Sequence, residues 1–277
     1  MEIPSSVIDF LRRALEEDIG PGDITASLVI SRDRKSKARY LAKEDFVLAG
    51  LPFAREVFRL LGPSIEFKMF FHDGARIDKG DILAEVYGNT SDILAGERVS
   101  LNILQRLSGI ATLTDAYVTR VKGLRAKIID TRKTTPCMRS MEKYAVRMGG
   151  GSNHRFGLFD GILIKDNHIE AAGGIKKAVS RARNGFHLSK IEVEVGNIKD
   201  LGNAIDAGAD VVMLDNMPVS DMRKAVEISN GRVLLEASGG INLKNVRDIA
   251  ETGVDFISVG ALTHSAPAVD ISLKIVK

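Results

Sequence analysis

The segments DTRKTTP (130–136), GGGSNHRFG (149–157) and LIKDNH (163–168) bring Arg132, Lys133, His154, Arg155 and Lys165 to the ends of predicted elements within one short stretch of chain. Fixed cations at that density call for an anionic ligand. Arginine's planar fork matches carboxylate and phosphate oxygens two at a time, whereas lysine supplies a movable point charge. A mixed cluster therefore suits a small molecule carrying both groups. A solvated basic face is the plain alternative, but such charge runs are rarely interleaved with Gly-Gly-Gly, Thr-Thr-Pro and short apolar runs.

Acids and glycines supply the complement. Glu192 and Glu194 stand two apart in a predicted strand and so point to one face, while Asp215 ends the next strand. For Glu194 and Asp215 the chemistry is that of hard oxygen ligands for Mg²⁺, which binds through one or two carboxylates plus substrate phosphates. Glu192 reads better as a structural neutraliser of nearby cations. Ser238-Gly239-Gly240 and Val259-Gly260-Ala261 end the two late strands, each expected to lead into a helix start. Glycine lets backbone N–H groups approach an anion, a pattern by which barrels hold a phosphate, and His264 is placed to assist. Cys137, before a predicted helix, lacks the base and orienting partner of a nucleophilic thiol.

Positioning these groups takes a repeated unit. AKIIDTR, GILIKDN, KIEVEV, DVVMLDN, RVLLEASGG and DFISVGA alternate with helical patterns such as 198–207 and 243–250, which predicts parallel βα units buried on both faces. Six such units imply an incomplete TIM-like α/β barrel, short of eight strands, with the chemistry at the carboxyl ends of the strands. The earlier part reads differently, as a helix, short strands at 37–41 and 82–87, and Gly-rich turns: an amino-terminal α/β domain. A long helix over 91–122, interrupted at Ser108-Gly109, links the two. The expected division is 1–112, a barrel over 113–266, and a segment 267–277 returning to the first domain.

Composition bounds the rest. With 277 residues and 44% hydrophobic content the chain can bury a sizeable core. Its 39 basic and 36 acidic residues leave a net charge of +3, which argues for a local anion site over a nucleic-acid footprint, and no Trp is present for base stacking. One cysteine excludes an intrachain disulfide and a cysteine-based zinc site. With charged residues throughout the first helix and no apolar run of spanning length, a soluble cytoplasmic protein with no membrane partner is expected.

These motifs, in this order, closely resemble the quinolinate phosphoribosyltransferases, of the type II phosphoribosyltransferase group. The likeness runs through EDIGPGDIT, DGARIDKGDILAEVYG, GERVSLNILQRLSGIAT, DTRKTTP, MEKYAVRMGGGSNHRFGLFDGILIKDNHI, IEVEV, DVVMLDNM, LLEASGGI and SVGALTHS. The resemblance implies an amino-terminal α/β sandwich and a barrel of six or seven strands, assembled as a homodimer or a hexamer. It implies transfer of phosphoribosyl from 5-phosphoribosyl 1-pyrophosphate (PRPP) to quinolinate with Mg²⁺, giving nicotinate mononucleotide, pyrophosphate and CO₂. It assigns the quinolinate carboxylates to Arg132, His154 and Arg155, with Lys133 and Lys165 nearby and Arg98 reaching in from the partner subunit. Glu194 and Asp215 would address the ribose and the metal, and Ser238, Gly239, Gly240, Gly260, Ala261 and His264 the 5-phosphate. Cys137 departs from the pattern, which usually has glycine after Thr-Thr-Pro. Two other functions compete: a Schiff-base lyase using Lys133 or Lys165, and a non-catalytic protein that binds a pyridine acid.

Overall fold

Residues 2–185 and 188–276 are described in the computed structural model. They form two compact units, one of Met1–Asp115, Thr134–Gly150 and Ser265–Lys277, the other of Ala116–Lys133 and Gly151–His264.

In the first unit, α1 (Ser5–Ile19) buries Val7, Leu11 and Leu15, spaced so that one helical stripe faces inward. Helix α2 (Ile24–Val29) is capped by Asp23, whose carboxylate accepts the Ala26 N–H at 2.9 Å. Strand β1 (Lys35–Ala42) alternates, burying Ser36, Ala38, Tyr40 and Ala42. After β2 (Phe46–Val47), α3 (Leu51–Leu61) starts where Asp73 accepts the N–H groups of Gly50 and Leu51 at 2.7 and 3.2 Å. Strands β3 (Glu66–Met69), β4 (Arg76–Ile77) and β5 (Ile82–Asn89) follow. Tyr40, Phe58, Leu83 and Leu104 sit at the centre of this unit's core.

Helix α4 (Thr90–Arg120) runs unbroken through Ser108-Gly109, which corrects the expected interruption. Ser108 is buried because its hydroxyl bonds both the N–H and the carbonyl of Ala49, at 3.0 and 3.1 Å. Gly109 is there for close approach: a Cβ would lie 1.9 Å from the Pro267 carbonyl oxygen. Gly109→Ala is expected to cost about 2 kcal/mol, as overpacking against backbone does. A urea midpoint equal to that of the unchanged protein would contradict this.

The expected division differs from the observed one mainly at Thr134–Gly150, which belongs to the first unit. Polar contacts hold it there. In α5 (Arg139–Met148), Glu142 is fully buried, pairs with Arg106 at 2.9 Å, and accepts both the N–H and the hydroxyl of Thr135. The Tyr144 hydroxyl donates to Asp73 at 2.7 Å, and burial raises the pKa of each of these two groups. Cys137, exposed just before this helix, has φ +64°, the left-handed region in which a side chain costs about 1–2 kcal/mol. After the larger entropy loss of glycine on folding, Cys137→Gly is expected to stabilise by about 0.5–1 kcal/mol. Calorimetric melting that shows a lower midpoint would refute the expectation.

The second unit holds six parallel strands: β6 (Lys127–Ile129), β7 (Ile162–Ile164), β8 (Ile191–Val195), β9 (Val211–Asp215), β10 (Leu234–Ser238) and β11 (Phe256–Ser258). Their order, β6-β11-β10-β9-β8-β7, with Ser152 bridged to Ile129 on β6, is that of an incomplete TIM-like barrel. Helices α6 (Asp166–Ala172), α7 (Ile175–Gly185), α8 (Ile198–Asp206), α9 (Val219–Ser229), α10 (Val246–Ala250) and α11 (Ala261–His264) fill the connections. Strands buried on both faces explain the largely apolar runs IEVEV, VVML and LLEA, whose acids face the site.

The chain then returns to the first unit. Strand β12 (Ile271–Val276) pairs antiparallel with β1, giving the order β12-β1-β5-β3. Lys277, in the expected return segment, lies outside the described residues.

Candidate active site

The register of the barrel strands stacks the site in layers. Glu194 pairs across with Met213, which pairs with Glu236; one layer further along, Asp215 pairs with Ser238. Because side chains alternate, Glu192, Glu194, Met213, Asp215, Glu236 and Ser238 all share one face of the sheet. Most of that face opens into a cavity of about 610 Å³, lined also by Arg132, Lys133, His154, Arg155, Lys165, Gly239 and Gly240. A larger cavity of about 740 Å³ lies among α6, α7 and α8, but it gathers no comparable set of cations.

The cations are held in place by short polar contacts. Asp130, fully buried at the exit of β6, accepts the His154 N–H at 2.9 Å and the Asn153 side-chain amide at 2.5 Å, which pins the Asn-His-Arg turn. Arg155 donates from its guanidinium to the Gly161 carbonyl at 3.0 Å. Burial, and next the charge of Arg132, lower the pKa of Arg155. Two guanidinium groups repelling one another in a partly dry mouth are what an incoming dianion relieves. The Lys165 ammonium lies 2.6 Å from Glu194, so cation and acid arrive as a pair.

Below them lies a constellation that sequence reading did not assemble. His154 Nε2 stands 2.9 Å from Glu192 and 3.7 Å from Glu236, and the three ligand-type atoms lie within 4.8 Å of one another. Burial, and next the charge of Glu192, raise the Glu236 pKa well above the ordinary glutamate value. Glu236 and Asp130 were the functional residues missed. The signal for Glu236 was present in RVLLEASGG, where an acid occupies the same strand face as Ser238.

The glycine loop differs in part from expectation. Gly239 and Gly240 have φ +88° and +62°, and a Cβ on Gly239 would fall 2.2 Å from the Asn216 side-chain oxygen. Glycine is therefore required there. After Ser238-Gly239-Gly240 no helix start follows directly, since α10 begins only at Val246, whereas α11 does begin at Ala261, directly after Gly260, and spans four residues. The expected helix dipole drops out behind the 238–240 loop, leaving backbone N–H groups as that loop's donors. Gly260, Ala261 and His264 are not among the residues lining the cavity. They abut it through Lys133, since a Cβ on Gly260 would meet the Lys133 stem at 3.1 Å and His264 at 3.2 Å, and the Thr263 hydroxyl donates to the Lys133 carbonyl at 2.7 Å. Arg98 is exposed on α4, in the first unit.

Cations, acids and a glycine loop around one cavity at the carboxyl ends of parallel strands define an α/β-barrel enzyme site for a small polyanion. Comparison with known proteins is more specific. Residues 110–274 match the quinolinate phosphoribosyl transferase C-terminal domain, and residues 23–108 match the N-terminal domain of the same family. The chain belongs to the quinolinate phosphoribosyl transferase family. It is 45% identical over 94% of its length to a probable nicotinate-nucleotide pyrophosphorylase [carboxylating] of Bacillus subtilis, covering 90% of that protein. It is 42% identical to a mitochondrial quinolinate phosphoribosyltransferase [decarboxylating] of Nicotiana tabacum, over 96% of this chain and 81% of that one. Among solved structures, the nicotinate-nucleotide pyrophosphorylase of Francisella tularensis superposes with a TM-score of 0.96 at 44% identity, over 99% of this chain and 98% of that one.

Proposed function

We propose that the protein transfers phosphoribosyl from PRPP to quinolinate with loss of CO₂, forming nicotinate mononucleotide and pyrophosphate in de novo NAD biosynthesis. What carries the reading is the single cavity lined at once by Arg132, Lys133, Arg155 and Lys165, by Glu194 and Asp215, and by the Ser238–Gly240 loop. The mouth bounded by Arg132, His154 and Arg155 receives the two carboxylates. Lys133 and Lys165 face the departing pyrophosphate. The 238–240 loop takes the 5-phosphate, with Gly260, Ala261 and His264 supporting Lys133 from behind.

Loss of pyrophosphate leaves positive charge on the ribose, which the carboxylates of Glu194 and Asp215 stabilise while the pyridine nitrogen attacks. Holding both reactants in one mouth contributes about 7 kcal/mol or more through positioning. The positive ring nitrogen then stabilises the electron pair left on the adjacent ring carbon when its carboxylate leaves as CO₂, and a proton from water takes that position to complete nicotinate mononucleotide. Glu194 and Asp215 on one cavity wall fit Mg²⁺, since that ion binds through one or two carboxylates together with phosphate oxygens. When bound, it neutralises charge on the leaving pyrophosphate.

The same reading has the protein in the cytoplasm as a homodimer, or a hexamer, with Arg98 of one subunit completing its partner's site. Among the described residues no helix is long and apolar enough to cross a membrane. A Schiff-base lyase is disfavoured because the Lys165 ammonium is engaged by Glu194. The test is to incubate the protein with quinolinate, PRPP and Mg²⁺ and follow nicotinate mononucleotide and labelled CO₂. Nicotinate, lacking the second carboxylate, is expected to be weaker by about 2 kcal/mol, or roughly 30-fold in kcat/KM. Absence of labelled CO₂ release would overturn the proposal.

A further inference from the structure

We propose that His154 is a positioning residue, not a donor to the diacid, and that the buried pair Glu192 and Glu236 sets its hydrogen-bonding form. The inference rests on the proposed reading of the same cavity. The ring's geometry leads to it. Nδ1 of His154 lies 2.8 Å from the Arg155 N–H, a group that can only donate, so Nδ1 accepts and carries no proton. Nε2, 2.9 Å from Glu192, keeps the ring's proton and donates it there. Both nitrogens are thus committed within the protein, and neither offers an N–H to a substrate carboxylate.

A cation at the same three residues is the obvious competitor, because one carboxylate oxygen each of Glu192 and Glu236 is buried without a hydrogen-bond partner. The tautomer argues against it. A metal on Nε2 would need the ring proton on Nδ1, where the Arg155 N–H already points. Glu236, 2% exposed, instead sits beside Glu192 with its pKa raised by burial and next by the neighbouring charge. The consequence is a chain of contacts from the barrel interior to the mouth. Glu192 holds the ring, the ring holds the Arg155 backbone, and the Arg155 guanidinium is aimed by Gly161.

The direct experiment is ¹⁵N NMR of the full-length protein labelled at histidine, with His154→Gln supplying the assignment. At neutral pH, and again after adding quinolinate without PRPP, His154 is expected to show a protonated Nε2 and a bare Nδ1. A doubly protonated ring, a proton on Nδ1, or a change of form when quinolinate binds would overturn the proposal, as would a metal-shifted Nε2 after dialysis against Zn²⁺. Kinetics give a second arm. Glu236→Gln, which keeps a neutral hydrogen-bonding group, is expected to hold KM for quinolinate within about twofold. Glu192→Leu is expected to raise that KM about tenfold or more with KM for PRPP little changed, and equal movement of both constants would refute the positioning role. If the unchanged protein neither binds nor turns over quinolinate, the proposed function fails, while the ligand-free histidine spectrum still decides the tautomer on its own.

Discussion

Arg155→Ala is expected to raise the KM for quinolinate about 30- to 100-fold, equivalent to losing about 2–3 kcal/mol from a charged hydrogen-bonding group in a desolvated mouth. The effect should fall on the diacid alone. Arg155 is half-buried, leans on the Gly161 carbonyl, and shares its surroundings with Arg132, whose charge together with burial disfavours its own. Repulsion of this kind is tolerated where a dianion bridges the two guanidinium groups, so the paired cations select the ligand with two carboxylates over the ligand with one. Arg155→Lys should recover only part of the loss, because a point charge cannot match a carboxylate with two parallel N–H bonds. Steady-state kinetics with each substrate varied in turn would show it. An Arg155→Ala protein with unchanged KM for quinolinate would remove the diacid from this mouth.

Glu194→Gln should act on turnover instead. Its carboxylate pairs with Lys165 at 2.6 Å and shares a cavity wall with Asp215, the wall at which the proposed reaction develops charge on the sugar. Replacing the acid by an isosteric amide keeps the shape and removes the charge, so kcat is expected to fall about 10²- to 10³-fold, the range found when one preorganised electrostatic group is lost. KM for quinolinate should stay within about threefold, since the diacid's cations are untouched. Single-turnover release of labelled CO₂ separates chemistry from product release. A kcat within a few-fold of the unchanged protein would take Glu194 out of the reaction.

Much of this was readable in the chain before folding. Strands that are buried on both faces are mostly apolar, so IEVEV, DVVMLD and LLEAS announced parallel βα units, and polar residues at their ends marked the reactive rim. Local chemistry also speaks through residue type. Arginines beside glycines and paired acids two apart on a strand name the charges that a ligand must carry, whatever their later positions. The continuity of α4 was not readable, because Ser108-Gly109 looks like a helix break, and only the contacts with Ala49 and Pro267 supply its reason. The helix start expected directly behind Gly239-Gly240 failed for the converse reason, whereas the one behind Gly260 formed as a single turn. Glycine signals a permitted backbone angle, and whether a helix follows depends on what the next residues pack against.

Charge type, strand period and glycine placement are properties of neighbouring residues, and from them alone the sequence determined the fold class and which groups suit a diacid and a phosphorylated sugar. Which acid meets which base was decided by tertiary structure. Asp130, His154, Glu192 and Glu236 come from four separate segments, and only barrel closure and strand register bring Asp130 and Glu192 within hydrogen-bonding reach of His154 and Glu236 to 3.7 Å from it. Burial inside the barrel then does what no spacing encodes: it raises the Glu236 pKa, commits both nitrogens of His154, and crowds Arg155 against Arg132.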